Sequence, residues 1–284
     1  MHSHTARVQD IDMRWQETGT GDPVILVHGI PTGPALWRHV APLIEGRRVL
    51  AWEMVGYGSS IPEGRDRDIS VAAQAGYLAA WMEAQGLSQA VVAGHDLGGG
   101  VAQILAVRHP EKVAGLFLTN AICHDSWPVP VVKAVAATGS LLKHAPDGSV
   151  RQFMKLMFSK GHDTEAARAA ALEVHAPQYE AHDGAEAFVR QTQSLDNADT
   201  RAVAEALPRL GIPARIAWGV EDEFQTLDYG ERLARDLAAP LRRIEGGRHF
   251  TPEDHPQIIA EEINALVREV DAAEAPETGR QRIG

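Results

Sequence analysis

The stretch VVAGHDLGGGVAQ, Val91 to Gln103, passes from one kind of secondary structure to another with four glycines at the join. Val91–Ala93 is a short apolar run of the kind buried in a parallel sheet, and after the glycines Val101, Ile104 and Leu105 recur at helical spacing. Between them Gly94-His95-Asp96-Leu97-Gly98 has the form Gly-x-Asp-x-Gly, followed by Gly99 and Gly100. The chain therefore leaves a strand, turns sharply and enters a helix, and small residues on both sides let backbone and helix approach closely. The central residue of such a turn stands at the top of a sheet in a strained conformation, where a serine nucleophile is the usual occupant. Here it is Asp96. One reading makes Asp96 only the N-cap of the following helix, a role aspartate fills well; the other makes it a nucleophile.

Outward from this turn, short β-branched runs alternate with longer segments of helical period, which predicts a mostly parallel sheet covered on both faces, an α/β fold. The expected strands are Pro23–Gly29, Val49–Gly58, Ala90–Asp96, Val113–Ala121, Ala214–Asp222 and Leu241–Gly247. Ser70–Gly86 reads as an amphipathic helix with a glycine stop, and Glu253–Val270 as the closing helix. The alternation breaks between Ser126 and Ile212, where helical and loop-like sequence is bounded by DSWPVP and LPRLGIP, both punctuated by prolines. A helical block at that point would lie over the carboxyl ends of the strands, where open α/β sheets bind ligands. The expected organisation is a core of residues 1–125 and 213–270, a helical cap of 126–212, and a disordered tail of 271–284.

Composition narrows the partners. The 284 residues are 44% hydrophobic and 23% charged, with 27 Lys and Arg against 38 Asp and Glu, for a formal charge of −11. Nucleic acid and anionic membranes both call for a basic patch, so a small uncharged organic substrate fits better. Cys123 is the sole cysteine, no apolar run reaches the roughly 18 residues of a membrane span, and MHSHTARVQD lacks the apolar centre of a signal peptide. A cytoplasmic location is expected. Of the thirteen histidines, HSH belongs to an N-terminus expected to be mobile and the others lack paired ligand spacing, so no metal is expected. No Gly-x-Gly-x-x-Gly follows the first strand, so no nucleotide cofactor is expected either.

Four further motifs stand at strand ends: HGIP (His28–Pro31), GYG (Gly56–Gly58), WGVED (Trp218–Asp222) and GGRHF (Gly246–Phe250). With Asp96 they follow the chain order nucleophile, acid, histidine. In this the chain resembles the α/β-hydrolase fold, specifically the aspartate-nucleophile branch of haloalkane dehalogenases and epoxide hydrolases, over residues 20 to 270. LTNA, HGIPTGPALWR and HFTPEDHP look most like haloalkane dehalogenases, whereas HGxP is shared with epoxide hydrolases. The resemblance implies Asp96 as nucleophile, His249 as general base and Asp222 as the acid that orients it, with Glu221 and Glu223 as rivals to Asp222. In some relatives that acid follows the preceding strand, but the matching residue is Asn120. By the same resemblance the backbone amides of Ile30 and Leu97 form the oxyanion hole.

An aspartate suits displacement at an sp3 carbon. Its carboxylate can attack in line, expel halide or open an epoxide, and leave an alkyl ester that water activated by neutral histidine cleaves; serine would leave a stable ether. The departures from the family pattern concern the leaving group. Haloalkane dehalogenases usually carry Trp after the nucleophile and Asn or Trp as a second halide donor, where this chain has Leu97 and Ile30, neither with a side-chain donor. The Arg that holds a substrate carboxylate in fluoroacetate dehalogenases is absent. Epoxide hydrolases use a pair of cap tyrosines, and Tyr179 is the one tyrosine between Ser126 and Ile212. Candidate donors are Trp37, Trp127, His175 and Tyr179, with His144, His162 and His182 also in the cap; for each, packing or solvent exposure is the competing role. Two alternatives to carbon–halogen hydrolysis stay open, epoxide (or lactone) opening and a non-enzymatic binding protein on a hydrolase fold.

Overall fold

The computed structural model describes residues 1–139, 148–181 and 183–274. His144, His182 and residues 275–284 of the expected tail lie outside the described residues. The strands are β1 (His2–Val8), β2 (Ile11–Thr18), β3 (Pro23–Val27), β4 (Arg48–Trp52), β5 (Ala90–Asp96), β6 (Val113–Ala121), β7 (Ala214–Gly219) and β8 (Leu241–Ile244), in one sheet of order β1-β2-β4-β3-β5-β6-β7-β8. From β4 to β8 neighbours are parallel; β1–β2 and β2–β4 are antiparallel.

β5 and all but one residue of β6 are buried, and their alternate side chains feed two cores, one on each face of the sheet. Ile25, Val27, Val92, Leu116 and Leu118 pack on one side with α1 (Val71–Ala84) and α2 (Leu97–Arg108). Val24, Leu26, Val91, Ala93 and Phe117 pack on the other with Ile259, Ile263 and Leu266 of the closing helix. The Ser70 hydroxyl caps α1 by accepting from the Ala73 amide, and Gly86, at φ 68°, follows its end.

The structure differs from the sequence reading in three respects. The N-terminus is a strand of the sheet: His2–Val8 pairs residue for residue with β2, and His4 stacks on Trp15 with ring centroids 5.3 Å apart. In β2 buried Ile11, Met13 and Trp15 alternate with less buried neighbours, whereas β1 buries only Val8. An edge strand held by main-chain bonds leaves little pattern in its side chains. The closing helix is two pieces, because Pro256 cannot continue the turn before it: Thr251–Asp254, then Pro256–Glu274, which takes residues 271–274 out of the expected tail. The parallel strands stop two to six residues earlier than expected at β3, β4, β7 and β8, since HG, GYG, VED and EGG form loops beyond the ladder.

Between β6 and β7 the described chain is helical: α3 (Pro130–Ala137), α4 (Ser149–Gly161), α5 (Glu165–His175), α6 (Pro177–Glu180), α7 (Gly184–Gln193) and α8 (Ala198–Ala204). Then follow α9 (Leu227–Asp236), α10 (Thr251–Asp254) and α11 (Pro256–Glu274). The inserted helices reach the loops after β3 and β4 through Gln178 Nε2 to the Pro31 carbonyl (2.9 Å) and Gln191 Nε2 to the Gly56 carbonyl (2.8 Å). From β3 the chain runs outward to β4 and then crosses to β5 on the other side of β3. The crevice at this reversal lies between the carboxyl ends of β3 and β5, where His28–Ile30 and Asp96 stand.

Candidate active site

Asp96 ends β5 at φ 52° and ψ −120°, a backbone region sparsely populated by residues other than glycine. Its neighbours make room for this. A Cβ on Gly98 would run into the Val27 and His28 carbonyls, and one on Gly29 would overlap the Asp96 carboxylate. The side chain does not cap α2 as an N-cap aspartate would. Instead Oδ1 accepts from the Ile30 amide at 3.0 Å, and the Leu97 amide also bonds to the carboxylate. The carboxylate is 6% exposed, its Oδ1 is held by the Ile30 amide, and burial pushes its pKa up against the pull of the Ile30 and Leu97 amides.

The other oxygen, Oδ2, faces His249 Nε2 at 3.6 Å. His249 Nδ1 donates to Asp222 Oδ2 at 2.8 Å, which sets the tautomer and leaves Nε2 toward Asp96. Burial opposes protonation of His249, but the charge and hydrogen bond of Asp222 and the charge of Asp96 outweigh it, so its pKa lies above the ordinary imidazole value. Of the three acidic residues in the β7 loop, Asp222 is the one on His249; Glu223 pairs instead with Lys160 at 3.0 Å. Asn120 donates from Nδ2 to Asp222 Oδ2 (2.7 Å), while its Oδ1 accepts from the Gly219 amide (3.2 Å) and the Thr251 hydroxyl (3.0 Å). The Phe224 amide holds Asp222 Oδ1 at 2.7 Å. Sequence reasoning noted Asn120 only as a residue that cannot carry charge; its place beside Asp222 depends on the β6–β7 pairing.

Two other histidines flank the group as fixed neutral pieces. His28 donates from Nδ1 to the Gly29 carbonyl and accepts the Met54 amide at Nε2 (3.1 Å), and burial lowers its pKa to about 4. His95 donates from Nε2 to the His249 carbonyl at 2.9 Å, and burial pulls its pKa well down.

A cavity of about 50 Å³ lies against Asp96 and His249, several times the roughly 10–15 Å³ that holds one water. Its wall is mostly apolar: Ile122, Val129, Val132, Met157, Leu195 and Phe250 are among the lining residues. Of the four residues proposed from sequence as leaving-group donors, only Trp127 lines it, and its Nε1 is already given to the Thr200 hydroxyl at 2.8 Å. Trp37 is fully buried in the sheet-side core with Leu36 and Val40, its N–H without a partner among the described residues, and it does not line this cavity. The Tyr179 hydroxyl donates to Gln191 Oε1 (2.8 Å), and His175 pairs with Glu253 Oε1 (3.1 Å). The fourth polar side chain of the wall, besides Asp96, His249 and Trp127, is Gln225, which sequence reasoning passed over. No group of three or more His, Cys, Asp or Glu among the described residues is arranged to hold a metal ion. No described helix is long and apolar enough to cross a membrane.

A sequence family described as the alpha/beta hydrolase fold matches residues 22–256. A bifunctional epoxide hydrolase 2 of Sus scrofa is 32% identical over 139 residues, 47% of this chain and 25% of that protein. A haloalkane dehalogenase of Sphingobium indicum is 37% identical over 115 residues, 39% of this chain and 38% of that protein. The chain thus matches less than half the length of either relative. An alpha/beta hydrolase fold protein from Burkholderia ambifaria superposes with a TM-score of 0.82 at 24% identity, over 92% of this chain and 96% of that one, a likeness of fold.

Proposed function

The chain belongs to the α/β-hydrolase fold family, and from that premise we propose that it is a cofactor-free hydrolase working through an alkyl ester on Asp96, with carbon–halogen hydrolysis of a small uncharged organic halide as its reaction. Residues 126–212 serve as the cap over the site. The observation that carries this reading is the division of labour within one carboxylate: Oδ1 is held by the Ile30 amide, while Oδ2 faces His249 beside the apolar cavity.

Oδ2 attacks the carbon bearing the halogen, the carbon–halogen pair departs as halide, and an ester forms at Oδ2. A water then adds to the Asp96 carboxyl carbon and gives its proton to His249 Nε2. The tetrahedral oxyanion develops at Oδ1, where the Ile30 amide already points, so this donor does not have to reorganise as charge builds. Collapse expels the alkoxide, which recovers the proton from His249; the sum is organic halide plus water giving alcohol, halide and a proton. Asp222 holds the imidazole tautomer and offsets its charge, and Asn120 and the Phe224 amide hold Asp222. The nearly apolar wall supports an organic halide over a polar substrate, and the engagement of the Tyr179 hydroxyl with Gln191 counts against epoxide opening by that tyrosine.

The test is to trap the ester. His249→Gln should accumulate protein heavier by the alkyl group, with the mass on the peptide containing Asp96 and halide released once per chain. Asp96→Ala should give neither adduct nor turnover. Wild-type hydrolysis in ¹⁸O-water, stopped after one turnover, should leave the label in Asp96. Turnover of a haloalkane with no adduct in His249→Gln and no label in Asp96 removes the reading.

A further inference from the structure

The ester route needs something to meet the departing anion, and the residues proposed for that task from sequence are absent from the wall or already engaged. Gln225 is neither. It lies three residues after Asp222, is 2% exposed, and lines the same cavity as Asp96 and His249. Its backbone is pinned, because the Trp218 indole N–H donates to the Gln225 carbonyl at 2.8 Å. Yet its side-chain Oε1 is buried with no hydrogen-bond partner among the described residues. Leaving a buried amide end unpaired costs about 1–3 kcal/mol, so a fold that needed only to fill this space would do better with an apolar side chain. A carboxamide whose oxygen has no partner among the described residues, in a mostly apolar pocket, is free to turn either end to what enters.

We infer that Gln225 is the leaving-group donor: its side-chain N–H groups bind the halide as it departs from the carbon attacked by Asp96. This rests on the reading of Asp96 as nucleophile. As the bond from Oδ2 to carbon forms, the carbon–halogen electron pair leaves with the halogen, and Gln225 Nε2 donates to the resulting anion without transferring a proton. The donor is worth most in the transition state, where charge on the halogen has developed and the apolar wall offers it no other partner.

Gln225→Met keeps the length and removes both amide ends. Its expected signature separates function from packing: thermal stability equal to or above that of the parent, because an unpaired polar group is gone, with alkylation slowed about 10- to 1000-fold. Alkylation is timed by mass in the His249→Gln background, with and without Gln225→Met, on matched chloro-, bromo- and iodoalkanes. The loss should be largest for chloride, the poorest leaving group, and in chains that keep His249 hydrolysis of ester already formed should be unchanged. Independently of turnover, bromide should alter the fluorescence of the parent, in which Trp127 lines the cavity, at concentrations that leave Gln225→Met unaffected. Equal alkylation rates in both backgrounds with the same order of halides, or equal bromide binding, overturns the inference. If His249→Gln alone never gains an alkyl group, the ester reading falls, and the bromide titration then decides whether Gln225 forms a halide site.

Discussion

At the scale of single residues, the proposed ester route runs on two titrations of opposite sense. Asp96 must be ionised to attack, and burial raises its pKa, so alkylation declines on the acid side as it takes up a proton. His249 must be neutral to accept a proton from water, and Asp222 and Asp96 raise its pKa above about 6.5 against the effect of burial. Hydrolysis of the ester should therefore rise with pH through the His249 pKa while alkylation stays flat over that interval. Once the ester has formed Asp96 carries no charge, so Asp222 alone supports the imidazolium. Asp222→Asn should then move the hydrolysis limb to lower pH and slow that step by up to about 10⁴-fold, the scale for losing the orienting acid of such a triad. Rapid-quench measurements of the two steps between pH 5 and 9 check this; one shared limb for both steps contradicts it.

At the scale of elements, the junction between α10 and the inserted helices is the polar counterpart of the elbow. Glu253, on α10, meets His175 at 3.1 Å and His162 at 3.4 Å, both from the insertion, and pairs with Arg38 from the loop after β3. Beside it Asp254 meets His162 Nδ1 at 3.0 Å and His255 meets Asp163 at 2.6 Å. Burial works against ionisation of Glu253, but the hydrogen bond from His175 and the charges of His175, Arg38 and His162 bring its pKa down to about 2. A carboxyl whose folded pKa is depressed contributes stability that is complete above its unfolded value, near 4.5, and fades as pH falls toward 2. Glu253→Gln should cost about 3 kcal/mol in denaturant unfolding at pH 7, because it leaves the Arg38 guanidinium without its buried carboxylate partner. The gap to wild type should shrink between pH 4.5 and 2.5. A constant gap across that range would assign the loss to packing.

At the scale of the whole molecule, the sheet separates stability from chemistry. The β1–β2 hairpin lies at the edge of the sheet farthest from β7 and β8, and its polar anchors to the rest include the Glu17–Arg48 pair at 2.7 Å and the Asp10–Arg67 pair at 2.9 Å. The site draws instead on the loops after β3, β5, β6, β7 and β8. Removing His2–Val8 should thus lower the melting temperature by several degrees, at about 2–4 °C per kcal/mol for a chain of this size, and leave kcat/KM within about twofold. A large loss of turnover at temperatures where the truncated chain is folded would show that the edge strand positions the site.

Much of this was written locally. The turn at Gly94–Gly98 needs residues without side chains at fixed offsets, so strand, elbow and helix were legible from one short window, and β5 and β6 begin and end where their apolar runs do. That Asp96, His249 and Asp222 meet was legible because each closes or follows a strand, and a parallel sheet brings strand ends together whatever lies between. The edge strand β1 escaped because its bonds are main-chain and its side chains face solvent. The leaving-group side was illegible for a different reason. Trp37, Trp127, His175 and Tyr179 all have the right chemistry, but whether a donor is free depends on partners far away in sequence: Thr200 for Trp127, Glu253 for His175, Gln191 for Tyr179. Asn120 reaches Asp222 across 102 positions, and Gln225 was unremarkable until the cavity wall formed around it. Sequence dictates which groups a chain carries and, through backbone sterics, where it must turn; which hydrogen bonds are already spent is decided only when the tertiary fold brings the partners together.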